Sequence, residues 1–154
     1  MTSLKKGDKA PYFEGVNQDE KSISLDDFKG KKLILYFYPK DDTPGCTAEA
    51  CNLNDNYQLW IDKGFEVVGV SPDSSKSHRK FAEKFGLRFN LIADGDTKIL
   101  QDYGVWGEKS MYGKRYMGVL RTTFVIDENS IIQEVFSKVE TGNHTNQIIK
   151  ALEI

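Results

Sequence analysis

Cysteine is scarce in this chain of 154 residues, which has only two, at positions 46 and 51. Two cysteines five apart cannot build the disulfide framework of a small secreted fold, and in a reducing compartment such a pair is more often catalytic or metal-binding. Histidine is equally scarce, with His78 and His144 in unrelated segments. No apolar run approaches the ~20 residues of a spanning helix. Met1-Thr-Ser-Leu-Lys-Lys-Gly-Asp8 also lacks the apolar core of a secretory signal, so the expectation is a soluble, cytoplasmic protein without membrane contact. Neither sign of charge dominates: 21 Lys and Arg against 23 Asp and Glu leave a net charge of −2, which argues against a nucleic-acid binder. There is no Gly-x-Gly-x-x-Gly, phosphate-binding loop or His-Glu-x-x-His, so no nucleotide or zinc-hydrolase site is suggested. The length suits one domain, 1–154, with a single core.

What the chain does have is Pro39-Lys-Asp-Asp-Thr43-Pro-Gly-Cys46-Thr-Ala-Glu49-Ala-Cys51, which holds both cysteines. It follows Lys-Leu-Ile-Leu-Tyr-Phe-Tyr at 32–38, an apolar run that reads as a strand buried on both faces and ended by Pro39. Pro44-Gly45 is turn chemistry, and the spacing predicts one helix over 46–63, stopped by Gly64. Cys46 then lies in the first turn of a helix at a strand's carboxyl end, where α/β sheets place ligands. At 100° per residue, Ala50, Leu53, Tyr57, Trp60 and Ile61 fall within about 60° of Cys46, and Cys51 is rotated about 140° away. An intact helix puts the two cysteine Cα atoms roughly 8.7 Å apart, beyond the ~6.8 Å limit for a disulfide. Two readings of Cys46 stand side by side at this point. It is a small hydrophobe on an apolar face, or it is a nucleophile whose thiolate is favoured by the unpaired N–H groups of a helix start. Thr43 is either an ordinary cap or a hydroxyl aimed at the sulfur and its surroundings.

The remainder alternates strands and helices. Weak strand signals at 12–16 and 22–25 flank a turn at 17–21, and 26–30 reads as a helical turn. A second buried strand over 65–70 makes a parallel strand-helix-strand unit with the first. The stretch 71–75, with several capping candidates, begins a helix that runs to Gly86, with apolar Phe81, Ala82 and Phe85 and a histidine, His78, read as solvated. A short strand at 91–93 and a short helix at 97–103 lead to a glycine-rich stretch, 104–118, read as an irregular loop. Its basic and tyrosine residues carry little weight for nucleic acid, because the charge is local. A hairpin over 122–126 and 131–136 and a closing amphipathic helix with Ile148, Ile149 and Leu152 inward complete the chain, with His144 structural at that helix's start.

Pro39-x-x-x-Thr43-x-x-Cys46 resembles the signature of peroxiredoxins, and the five-residue step to Cys51 is similar to the Q-type subfamily, the bacterioferritin comigratory proteins. Tyr103-Gly-Val-Trp-Gly-Glu-Lys-Ser-Met-Tyr-Gly-Lys-Arg-Tyr-Met-Gly118 and Arg121-Thr-Thr-Phe-Val-Ile-Asp127 resemble that subfamily too. With this strand order, the resemblance implies a thioredoxin-like α/β fold with additional N-terminal strands, a central mixed sheet and flanking helices. It also implies a thiol peroxidase. Cys46 would attack hydrogen peroxide or an organic hydroperoxide and become a sulfenic acid. Cys51 would condense with it, and thioredoxin or a similar dithiol would reduce the disulfide. Arg121, a solvated strand-edge residue by itself, becomes the cation beside Cys46; Thr43 and Pro39 complete the site. Glu49 matches the pattern, although helix-surface charge explains it equally well. No cofactor or metal is needed, and a resolving cysteine in the same chain points to a monomer. Two other classes compete. A disulfide reductase or oxidase is disfavoured by the missing Cys-x-x-Cys, and a metal carrier by the scattered histidines.

Overall fold

The computed structural model describes all 154 residues. At its centre is β3 (Lys32–Phe37), whose residues 33–37 are all buried, as a strand covered on both faces requires. β4 (Phe65–Ser71) runs parallel to it, Lys32 opposite Phe65, and β5 (Asn90–Ala93) runs parallel to β4. On the other side, β8 (Thr122–Ile126) pairs antiparallel with β3, and β9 (Ile132–Phe136) pairs with β8 as the expected hairpin. The N-terminal hairpin of β1 (Glu14–Val16) and β2 (Ser22–Ser24) attaches to β5, giving the mixed order β2-β1-β5-β4-β3-β8-β9. Apolar layers cover both faces of this sheet. One contains Phe37, Leu35, Phe124 and Tyr103; the other contains Ile34, Tyr36, Trp60, Phe81 and Ile148. The mixed α/β sheet with additional N-terminal strands matches the sequence reading. No helix is long and apolar enough to cross a membrane.

The single helix expected over 46–63 is two, α1 (Pro44–Asp55) and α2 (Tyr57–Asp62). Asn56 breaks it, with φ −105° and ψ 16°. Its side-chain Nδ2 donates to the Asn52 carbonyl at 2.8 Å, taking the acceptor that its own N–H would use in a continuing helix. That N–H turns to Asn54 instead. The break shifts the phase of everything after it, so Trp60 stays buried while Ile61 is 39% exposed.

The loop expected at 104–118 is a β-hairpin, β6 (Trp106–Met111) and β7 (Lys114–Val119), standing apart from the main sheet. Tyr112 and Gly113, at φ 52° and 77°, form the two-residue turn whose positive dihedrals match the strand twist. Two of the glycines that suggested a loop, Gly107 and Gly118, face each other inside the ribbon.

His78 is also corrected. It lies in α3 (Ser75–Phe85), capped by Ser74 and closed by left-handed Gly86, and is fully buried rather than solvated. Both ring nitrogens face acceptors, Asp41 Oδ2 at 2.7 Å from Nδ1 and the Ile92 carbonyl at 3.0 Å from Nε2. Asp41 also accepts from Tyr38 and Ser77 hydroxyls at 2.6 and 2.8 Å, so the loop after β3 is tied to α3. α4 (Lys98–Asp102) and α5 (His144–Leu152) complete the fold, with Ile148 buried and Ile149 and Leu152 packed alongside it.

Candidate active site

Where β3 ends, half-buried Pro39 opens the loop that carries Thr43 to the start of α1. Thr43 is the N-cap in backbone terms, φ −103° and ψ 156°, but its hydroxyl makes no cap bond and donates to the Lys40 carbonyl at 2.8 Å. Its oxygen lone pairs are therefore free to accept. Pro44 occupies the first helical position, where a missing N–H costs nothing. The Thr47 N–H bonds the Thr43 carbonyl at 2.8 Å, so the N–H groups of Gly45 and Cys46 precede the helix's own ladder. Cys46 is 1% exposed and packs with Tyr36, Ala50 and Leu53, so the buried helix face and the unpaired helix start coincide at its sulfur.

Arg121 reaches this point from far along the chain. Because Phe37 pairs with Thr122, the start of β8 lies beside the end of β3, and the preceding Arg121 arrives over α1's first turn. Its Nη2 donates to Cys46 Sγ at 3.2 Å and its Nη1 to Glu49 Oε1 at 2.7 Å. A Cβ at Gly45 would lie 3.3 Å from Nη2, so the glycine makes room for the guanidinium. Burial opposes the charge on Arg121, but Glu49 and then Cys46 outweigh it and hold its pKa above the ordinary value.

Glu49 is not a helix-surface charge, since its exposure is zero. Three residues after Cys46, it lies about 60° round the helix on the packed side, a position the same wheel that placed Ala50 there could have identified. Burial pushes its pKa up to about 7, and Arg121 opposes that rise. Its Oε2 has no hydrogen-bond partner. His144 Nε2 is 3.6 Å away but offers no proton. Gln147 is fixed by donating to the Lys138 carbonyl and accepting from the Glu140 N–H, so its Oε1 accepts from His144 Nδ1 at 2.9 Å. Nε2 is then the acceptor, taken by the Thr123 hydroxyl at 2.8 Å. Burial lowers the His144 pKa to about 4, so the ring is neutral at neutral pH. Tyr36, whose buried hydroxyl is also unpartnered, has its pKa raised by burial and then by Glu49 and Cys46.

Cys51 is half-buried on the flank of α1, and both cysteines are free within an unbroken helix. Partial burial, and then the Asp55 carboxylate one turn on, raise the Cys51 pKa. Cys46, Thr43, Arg121 and Glu49 thus share one end of α1, and Cys51 stands five residues away on another side.

A sequence model of the AhpC/TSA family matches residues 6–135. A putative peroxiredoxin bcp from Coxiella burnetii is 45% identical over 150 residues, covering 97% of this chain and 99% of the relative. Peroxiredoxin Bcp of Escherichia coli K12 is 42% identical over 153 residues, covering 99% and 98%. Among solved structures, Xanthomonas campestris bacterioferritin comigratory protein, described for its alkyl peroxide reduction activity, superposes with a TM-score of 0.85 at 34% identity, covering 92% of this chain and 90% of that one. With the motif around Cys46 and these full-length likenesses together, the chain belongs to the AhpC/TSA family, among its peroxiredoxins of the Bcp or Q type.

Proposed function

We propose that this peroxiredoxin reduces hydrogen peroxide and organic hydroperoxides at Cys46, resolves the product with Cys51, and is returned to the dithiol by thioredoxin or a similar protein. The observation that carries the reading is the Arg121 guanidinium donating at 3.2 Å to a sulfur set at a free helix N-terminus. The guanidinium and the helix start both aim N–H donors toward the sulfur, and Glu49 holds the guanidinium in place. The Thr43 oxygen, its proton committed to Lys40, accepts the O–H of an incoming peroxide. The thiolate attacks the nearer oxygen, the O–O bond breaks, and the leaving oxygen takes up a proton and departs as water or alcohol. Cys46 is left as a sulfenic acid. The Cys51 sulfur then attacks Cys46, forming the disulfide and releasing water, and the external dithiol takes over the oxidised state by exchange. The alkyl peroxide activity described for the Xanthomonas relative supports organic hydroperoxides as substrates. Resolution within one chain requires no second copy.

The test is peroxide consumption coupled to thioredoxin and its reductase. Turnover in the wild type and none in Cys46→Ser are expected, because a hydroxyl is a poor nucleophile at neutral pH. Undiminished turnover in Cys46→Ser would refute the assignment.

A further inference from the structure

For Cys51 to reach Cys46, α1 must open between them, and the structure indicates what holds that stretch closed. Downstream, Asn54 is an anchor: its Nδ2 donates to the Gly86 carbonyl at 3.0 Å, its Oδ1 accepts from the Arg88 N–H at 3.0 Å, and its carbonyl accepts from Arg88 Nη2 at 2.6 Å. Upstream, Cys46 is buried under Arg121. Between these anchors only two side chains make hydrogen bonds out of α1, Glu49 to Arg121 and Asn52 to the start of α5. α5 lacks a cap of its own, since Asn143 at its N-cap has φ −139° and makes no side-chain cap bond. Asn52 supplies the cap from another helix. Its Oδ1 accepts the Thr145 N–H at 2.8 Å, its Nδ2 donates to the Gly142 carbonyl at 3.2 Å, and its own carbonyl accepts from the Thr145 hydroxyl at 3.4 Å. Asn52 directly follows Cys51, so displacement of the Cys51 backbone pulls this cap away from α5.

We propose that the Asn52–Thr145 contact is a latch setting the rate at which Cys51 resolves oxidised Cys46, and hence how much sulfenic acid survives to meet a second peroxide. The inference rests on the disulfide reading above. Two fates compete for the sulfenic acid. In one, the Cys51 thiol displaces its oxygen as water and a sulfur–sulfur bond forms. In the other, a second peroxide delivers an oxygen atom to the Cys46 sulfur, giving a sulfinic acid and water or alcohol. A tighter latch lengthens the wait and favours the second. Asn52 touches none of the reacting atoms and acts as a positioning residue.

Asn52→Ala removes the trans cap and the Gly142 bond, whereas Asn52→Asp keeps an acceptor for the Thr145 N–H. Stopped-flow fluorescence would follow the first oxidation and the later disulfide step separately, and mass spectrometry would quantify sulfinic acid against peroxide dose. In Asn52→Ala, the disulfide step should be about fivefold faster, the loss of one cap of ~1 kcal/mol. Sulfinic acid should need a correspondingly higher dose, while the first oxidation is unchanged. Asn52→Asp should stay near the wild type. A disulfide rate in Asn52→Ala equal to the wild type, or equal acceleration in Asn52→Asp, would overturn the latch. If the wild type forms no Cys46–Cys51 disulfide, the resolution reading fails and the latch falls with it.

Discussion

Opening of α1, which the proposed disulfide requires, should depend on pH through Glu49. Folded, its carboxyl is buried beside an imidazole with no proton to give, and its pKa lies at about 7. When the helix opens between Cys46 and Cys51, Glu49 meets water and returns to an ordinary value near ~4.3. The closed state therefore binds more protons than the open one, and opening becomes easier as pH rises from ~4.3 through ~7. The full difference is about 3–4 kcal/mol, most of it spent by neutral pH. His144 titrates at about 4, below most of this window, and Arg121 stays charged throughout. The assay is amide exchange of residues 47–51, corrected for intrinsic rates, in a Cys46→Ser background that cannot be oxidised at that position. Opening free energies should fall by at least about 2 kcal/mol between about pH 5 and about pH 8, and should be nearly flat in Glu49→Gln. The same slope with and without Glu49 would refute the reasoning, as would no slope in either.

Other outcomes follow from the same contacts. Arg121→Met keeps length and removes the donor at 3.2 Å, so the second-order rate of Cys46 with peroxide should fall at least about tenfold, or ~1.4 kcal/mol; an unchanged rate in competition kinetics would make Arg121 a bystander. Cys51→Ser should consume about one equivalent of peroxide and stall as a sulfenic acid trappable with a dimedone-type reagent, and continued turnover with thioredoxin would remove Cys51 from the cycle. His78→Leu strips Asp41 of one of its buried partners but leaves the Tyr38 and Ser77 hydroxyls, so chemical denaturation should show a loss of about 2–3 kcal/mol, with less than 1 kcal/mol counting against the network.

Elements with an uninterrupted period could be read directly from the chain. The buried strands β3 and β4, the hairpin β8–β9 and the placement of Cys46 at a helix start all follow from local patterning. What escaped depended on side chains competing with backbone, or on partners distant in sequence. Asn56 could not be recognised as a break until its amide was seen on the Asn52 carbonyl. The β6–β7 ribbon was hidden because glycine signals both a loop and a two-residue turn with positive φ. His78 was read as solvated and Glu49 was explained equally well as a helix-surface charge, although each lies one turn from a buried apolar neighbour, Phe81 and Leu53 respectively. Polar residues on an apolar face need a buried partner, and those partners, Asp41 and Arg121, are 37 and 72 positions away. Arg121 was reached only through the family likeness, since nothing around it in sequence points to Cys46.

The opening of α1 that the proposed cycle requires is supported by how thinly its first turns are anchored in hydrocarbon. β3 buries five consecutive residues at its core, whereas the buried positions of α1 are Cys46, Glu49, Ala50, Leu53 and Asn54. Only Ala50 and Leu53 among these are plain hydrocarbon, and Ala50 contributes a single methyl. The first turns of α1 are therefore held by polar contacts, Arg121 to Glu49 and Asn52 to α5, each of modest net strength because water can replace it. A segment fixed this way can open on a functional timescale while the strand beneath it stays closed. Filling the same face with leucine would bury more area and add stability, but it would also trap Cys51 on the far side of a helix from which it cannot reach Cys46. Here Cys46 is buried at the start of the helix with Arg121 on its sulfur, and Cys51 lies half-buried on the flank, next to the Asn52 contact with α5. That division suits the proposed cycle, in which one short helix holds Cys46 in place and releases Cys51.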